Sequence, residues 1–131
     1  MNELEIIFPG GKKVSALRHG FEIATDQPRS GGGDASAPTP FDLFLASMGT
    51  CAGIFVLGFI QSRGLSSEGL KILESVDWDE ASHRLKKLSF RIILPKDFPE
   101  KYKAAAIKAA EQCLVARTLQ DPPELEITTD R

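Results

Sequence analysis

Residues Thr39 to Ile60 read TPFDLFLASMGTCAGIFVLGFI, and from Phe41 onward only Asp42, Ser47 and Thr50 are neither apolar nor glycine. The start of this run is a helix signal. Thr39 suits the N-cap, Pro40 the first helical position, and Asp42 stands three residues after Thr39 to close a capping box. Its end is marked by Gly64, a left-handed C′ candidate, with Arg63 suited to the negative end of a helix. A helix that is apolar nearly all round is buried either in a protein core or in a bilayer, and this one is long enough for both. Gly49, Gly53 and Gly58 dilute the run, no second such segment exists, and the rest of the chain alternates like half-buried strands. A core helix is therefore expected, with no membrane partner.

Composition agrees. The 131 residues are long enough for one domain, 1–131, with a real core. A hydrophobic content of 42%, a charged content of 26% and a net charge of −2 give no reason to expect a nucleic-acid or anionic-membrane partner. The opening MNELEIIF lacks a basic segment before its apolar residues, so no signal peptide is expected and a cytoplasmic location follows. Two cysteines 62 residues apart are not a secreted disulfide framework; in a reducing compartment they are packing residues or redox chemistry.

Upstream, alternation predicts strands from Leu4 to Phe8, from Lys12 to Leu17 and from Phe21 to Thr25, joined by turns at Pro9-Gly10-Gly11 and His19-Gly20. Residues 26–38, DQPRSGGGDASAP, predict an exposed loop of a length that is often functional. Downstream, Gly69–Trp78 and Leu88–Leu94 predict an antiparallel pair. A second helix should open with Asp97 and Glu100 in a capping box and carry Phe98, Tyr102, Ala105, Ala106, Ala109, Ala110 and Cys113 on one stripe. A further helical stretch, Leu114 to Leu119, ends before Asp121-Pro122-Pro123, and Leu125 with Ile127 predicts a closing strand. The fold class is α+β, in the order β(3)-α-β(2)-α(2)-β around a buried central helix. One thin sheet cannot cover such a helix on every side, so another layer or subunit is expected.

His19 and His83 fall at turns and, with two scattered cysteines, have no metal-ligand spacing. Neither Gly31-Gly32-Gly33-Asp34 nor Gly10-Gly11-Lys12-Lys13-Val14 continues as a phosphate-binding loop. The chemistry that remains is sulfur. Cys51 lies among small neighbours on the buried helix and Cys113 on the inward stripe of the second. Packing alone accounts for both, since free cysteine is among the most buried residue types, and periodicity does not establish that the two meet.

The run Pro38-Thr39-Pro40-Phe41-Asp42-Leu43-Phe44-Leu45-Ala46-Ser47-Met48-Gly49-Thr50-Cys51 follows Gly-Gly-Gly-Asp and resembles the central motif of the OsmC/Ohr family, the osmotically inducible and organic-hydroperoxide-resistance proteins. Cys113-Leu114-Val115-Ala116-Arg117-Thr118-Leu119, then Pro122-Pro123 and Glu124-Leu125-Glu126-Ile127, resembles its second signature. The resemblance implies an OsmC-like fold in an intertwined homodimer and a thiol-dependent peroxidase reducing organic hydroperoxides. It casts Cys51 as the peroxidatic thiolate and Cys113 as the resolving thiol that forms a Cys51–Cys113 disulfide. It implies no bound cofactor and an external thiol or lipoyl-type dithiol reductant. It also implies a cation beside the sulfur, held by an acid at the start of the buried helix, where Asp42 stands in for the family's usual Glu. The family's arginine has no direct match: the corresponding region holds Gly10-Gly11 followed by Lys12 and Lys13, which leaves those lysines, Arg18 and Arg29 as candidates. Asp42 lies nine residues, about two and a half turns, before Cys51, so in a straight helix the two face opposite sides. A second departure is Leu114, where many relatives carry Pro. Phe44, Met48, Phe55 and Tyr102 are the expected substrate-binding residues. The competing function is a non-catalytic small-molecule binding or redox-sensing protein using the same apolar pocket.

Overall fold

Three strands open the chain of the computed structural model, which describes residues 3–131. β1 (Glu5–Gly10), β2 (Lys13–Arg18) and β3 (Phe21–Thr25) form an antiparallel sheet in the order β1-β2-β3. Pro9 cannot donate to the ladder, and the β1–β2 register shifts between Ile7 and Gly10. His19 (φ 52°) and Gly20 (φ 81°) are both left-handed between paired Arg18 and Phe21, as a two-residue hairpin requires. His19 is thus a turn residue. Register places Ile6, Ala16 and Ile23 side by side on one face.

The 26–38 loop is built around one carboxylate. Asp26 is buried, its N–H donates to the Pro38 carbonyl, and its side chain accepts from the N–H groups of Gln27, Asp34 and Ser36 and from the Ser36 hydroxyl. These donors, the Ser36 hydroxyl foremost, hold its pKa down to about 2, so the anchor stays ionised at any higher pH. Gly33 must lack a Cβ, which would collide with the Gln27 carbonyl. Lys13 pairs with Asp34 at 3.0 Å, tying β2 to the loop.

α1 runs from Pro40 to Ser62. The capping box forms: the Thr39 N–H donates to Asp42 Oδ2 at 3.0 Å, and the Asp42 N–H to Thr39 Oγ1 at 3.2 Å. At the far end Gly64 is left-handed (φ 64°) and the Leu65 N–H donates to the Ile60 carbonyl at 3.1 Å, a Schellman closure. The chain clusters into two compact units that divide after Ala46, within α1.

In the second unit β4 (Lys71–Asp79) pairs antiparallel with β5 (Arg84–Ile93), Ile72 opposite Ile92 and Glu74 opposite Phe90. A 3₁₀ turn (Glu100–Tyr102), α2 (Lys103–Glu111) and α3 (Leu114–Gln120) follow. The core holds Met48, Ala52, Val56 and Ile60 of α1, an i, i+4 stripe, with Ala106 of α2 and Cys113. Gly49 leaves room for Glu74, whose Oε1 would lie 2.6 Å from a Cβ there; burial pushes that carboxyl up, and its Oε2 is buried without a partner among the described residues.

Three expectations change. α1 is not buried all round: outside the 48/52/56/60 stripe, Ile54 is 60% exposed, because the elements of its own chain cover one side only. On length and composition alone α1 could cross a bilayer, yet this stripe packs into the core. The Asp97 capping box does not form, since Asp97 is left-handed (φ 64°), whereas an N-cap needs extended backbone. The closing strand is absent from the single chain: Leu125 and Ile127 are 85% and 87% exposed and have no ladder partner among the described residues.

Candidate active site

α1 and the Cys113–Leu114 junction bring the two cysteines together. Cys51 is half-buried on α1, and Cys113 is 1% exposed at the N-cap of α3, with φ −52° and ψ 124°. The Cys113 thiol donates to the Met48 carbonyl oxygen at 3.9 Å, on the turn of α1 that precedes Cys51. The first backbone donors of α3 turn back to Cys113. The Ala116 N–H donates to Cys113 Sγ at 3.5 Å and the Arg117 N–H to the Cys113 carbonyl at 3.0 Å.

The two thiols consequently differ. The Val115 N–H foremost, then the Cys113 thiol and the Leu114 N–H, pull the Cys51 pKa below the ordinary thiol range against a partial desolvation cost. Burial is the main cause that pushes Cys113 up, reinforced by the neighbouring Cys51. The sulfur that is more accessible is also the one more easily ionised, and the buried sulfur is the harder to ionise. This arrangement suits a nucleophile and a second thiol poised to condense with it.

A cavity of about 560 Å³ lies beside Cys113, lined by Met48, Ala52, Phe90, Ile92, Ala106 and Ile107 among others. Of the expected substrate-binding residues, Met48 is on its wall. Phe55 is on the more exposed side of α1. Tyr102 sits edge-on to Phe59 at 5.8 Å, with the Arg63 guanidinium 5.7 Å from its ring centre. Phe44, in the first unit, stacks with Phe41 at 5.3 Å.

The candidate cations and Asp42 also belong to the first unit. Asp42 is engaged in the capping box, Lys13 with Asp34, and Arg29 lies exposed in the 3₁₀ turn Arg29–Gly31. Lys12 is exposed, with its Cε 3.6 Å from where a Cβ on Gly32 would be. Arg18 ends β2 opposite Phe21, on the face that carries Ala16. Among the described residues no group of three or more His, Cys, Asp or Glu side chains could hold a metal ion.

Sequence reading singled out both cysteines but missed the Ala116 N–H that donates to the Cys113 sulfur, because backbone N–H groups carry no residue-type signature.

The fold recurs in solved structures. A proposed osmotic-stress-induced and detoxification-response protein from Psychrobacter arcticus 273-4 matches at TM-score 0.76 and 21% identity, over 90% of this chain and 88% of that one. An OsmC-like protein from Mycoplasma pneumoniae matches at 0.73 and 13%, over 93% and 89%. An organic hydroperoxide resistance protein OsmC from Legionella pneumophila matches at 0.63 and 17%, over 92% and 89%. At such identities the likeness shows a shared fold. No curated protein sequence matches the chain. Residues 31–128, which hold most of the loop, all of α1 and both cysteines, match the family model described as OsmC-like protein, and the chain belongs to that family.

Proposed function

We propose that this chain is a thiol peroxidase that reduces organic hydroperoxides, working as one domain in the cytoplasm. The observation that carries the reading is the inequality of the paired thiols: a half-buried Cys51 whose pKa is lowered and a buried Cys113 whose pKa is raised, chiefly by burial. The Cys51 thiolate attacks the terminal oxygen of the hydroperoxide. The O–O bond breaks, the alkoxide leaves and takes up a proton, and Cys51 becomes a sulfenic acid. The Cys113 sulfur then attacks the sulfenic sulfur, an S–S bond forms and water leaves. Two thiols and a hydroperoxide thus yield a disulfide, an alcohol and water, and an external dithiol, lipoyl-type or similar, returns the pair to thiols. No bound cofactor takes part. Any of Lys12, Lys13, Arg18 or Arg29 that reaches Cys51 would stabilise the thiolate further, and Asp42 would orient it.

The apolar cavity wall at Met48 favours an alkyl group over hydrogen peroxide. The same cavity supports a second reading, a non-catalytic binder of small apolar molecules whose cysteines only sense oxidants. Turnover separates the two. With catalytic amounts of protein and a dihydrolipoyl-type dithiol in excess, an alkyl hydroperoxide should disappear at least about tenfold faster than hydrogen peroxide. Consumption at the buffer rate would remove the peroxidase and leave the binder.

A homodimer is part of the proposal. Phe8 and Phe21 on the three-stranded sheet are 77% and 72% exposed, and Ile54 and the Leu125–Ile127 segment are likewise open to solvent. Apolar surface of this extent calls for cover, and a second copy supplies it for the sheet, for α1 and for the unpaired tail at once. Light scattering on the eluting peak should give twice the 14.3 kDa chain mass. A monodisperse 14.3 kDa species at micromolar concentration would contradict it.

A further inference from the structure

The two cysteines differ in what they face. Cys51 is half-buried on α1, whereas Cys113 is 1% exposed and is the cysteine on the wall of the cavity of about 560 Å³. α2 shapes that wall beside the sulfur. Ala106 and Ala110, one turn apart, line it, and their short side chains leave the space open. The Cys113 N–H donates to the Ala110 carbonyl at 3.3 Å, which sets the sulfur just beyond the second alanine. β4 and β5 add Ile72, Phe90 and Ile92, with Ile72 opposite Ile92 in register. Arg91, Lys103 and Glu111 line the cavity too, and all three are exposed. The cavity thus joins an apolar wall and a sulfur to charged groups that meet solvent.

We infer that this cavity is the entry route for an aliphatic dithiol, which attacks the oxidised protein at the Cys113 sulfur and releases Cys51. The inference rests on the proposed reading in taking a Cys51–Cys113 disulfide as the oxidised state. Attack on one sulfur of a disulfide expels the other, so the sulfur that is reached decides which cysteine is freed first. A chain laid along the apolar wall meets Cys113, since that sulfur belongs to the wall. The first thiol of the reagent loses its proton to solvent and forms an S–S bond to Cys113. The Cys51–Cys113 bond breaks, and Cys51 leaves with the electron pair. The second thiol, deprotonated in turn, attacks the reagent's own sulfur in that mixed disulfide. A cyclic disulfide departs, and Cys113 keeps the pair and takes up a proton. One protein disulfide and one dithiol thus become two protein thiols and one cyclic disulfide.

Leaving-group character points the same way. A thiol of lower pKa leaves faster, and Cys51 is the one whose pKa is lowered, while burial raises that of Cys113. Attack at Cys51 would instead expel a thiolate at the buried position. A short, charged thiol gains nothing from an apolar wall and has only the half-buried Cys51 to approach from solvent, so chain length separates the two routes. The alkyl group of the hydroperoxide and the chain of the dithiol use the one cavity in turn.

The test starts from protein oxidised with diamide, so it does not depend on hydroperoxide turnover. A monothiol, which cannot complete the second step, is added, the reaction is stopped with acid at early times, freed thiols are alkylated, and peptides are mapped by mass. With mercaptohexanol the adduct should lie on Cys113 and the alkyl label on Cys51, by at least about ten to one over the reverse. Mercaptohexanol should also react about tenfold faster than mercaptoethanesulfonate at equal thiolate concentration. An adduct chiefly on Cys51, equal rates for the two thiols, or no disulfide after diamide would each overturn the inference. Ala110→Leu, which puts a larger side chain on the wall, should slow mercaptohexanol about fivefold more than mercaptoethanesulfonate. Equal effects on the two would overturn it as well. If the Cys113 adduct forms while hydroperoxide is not turned over, the peroxidase reading fails and the entry route stands. If turnover is present and the adduct lies on Cys51, the entry route fails alone.

Discussion

Cys51→Ser should abolish hydroperoxide reduction, with a loss of at least about a thousandfold, because a serine hydroxyl is not ionised near neutral pH and cannot take the place of a thiolate. Cys113→Ser should behave differently, and the difference tests the roles as well as the chemistry. Its Cys51 keeps its half-buried place on α1 and should still attack the peroxide once. With no second thiol to condense, the sulfenic acid should persist as a gain of about 16 Da and then advance to higher oxides. Cys51→Ser should show no mass change on the same timescale, since its one remaining thiol is buried and its pKa is raised. If the two single variants behaved alike, the assigned asymmetry would be wrong even were the protein a peroxidase. The pH sense follows from the lowered Cys51 pKa: the rate of the first oxidation should rise through a pKa below that of an ordinary thiol and level off above it, where Cys51 is fully ionised.

Ile60→Ala should be the most damaging substitution away from the cysteines. Ile60 is fully buried, and with Met48, Ala52 and Val56 it makes the stripe by which α1 enters the core of the second unit. Truncating a buried isoleucine removes its transfer energy and leaves a cavity, at a cost of about 2–5 kcal/mol. Against a total stability of roughly 5–15 kcal/mol that is a large share, and it should lower Tm by about 10 °C. A cost under about 1 kcal/mol would mean that the stripe is not the packed side of the helix. Ile54→Ala, on the exposed side of α1, should cost little in a separated chain. Any larger cost that grows with protein concentration would come from the second copy.

Local chemistry made much of this fold readable. Thr39, Pro40 and Asp42 specify the start of α1 by contacts within four residues, and Gly64 specifies its end, so both were legible without tertiary information. The hairpins were legible for the same reason, through His19-Gly20 and the alternation along β4 and β5. The closing strand around Leu125 and Ile127 was not: alternation describes what a strand would bury, and no partner edge among the described residues takes it. The Asp97 pattern failed because Asp97 turns left-handed after Pro95. In the site, side-chain chemistry drew attention to Cys51 and Cys113, and the family resemblance to Asp42 and the scattered cations. The donor to the Cys113 sulfur is the main-chain N–H of Ala116, and the carboxylate that organises the 26–38 loop is Asp26, an ordinary residue until its four donors converge on it.

The most direct measurement is the intact mass of fully reduced protein after one equivalent of an alkyl hydroperoxide. Formation of the Cys51–Cys113 disulfide predicts a loss of about 2 Da within seconds to minutes, with one alcohol released per chain and the original mass restored by a dithiol. An unchanged mass, or a gain of about 16 Da in place of the loss, would contradict the paired-thiol account.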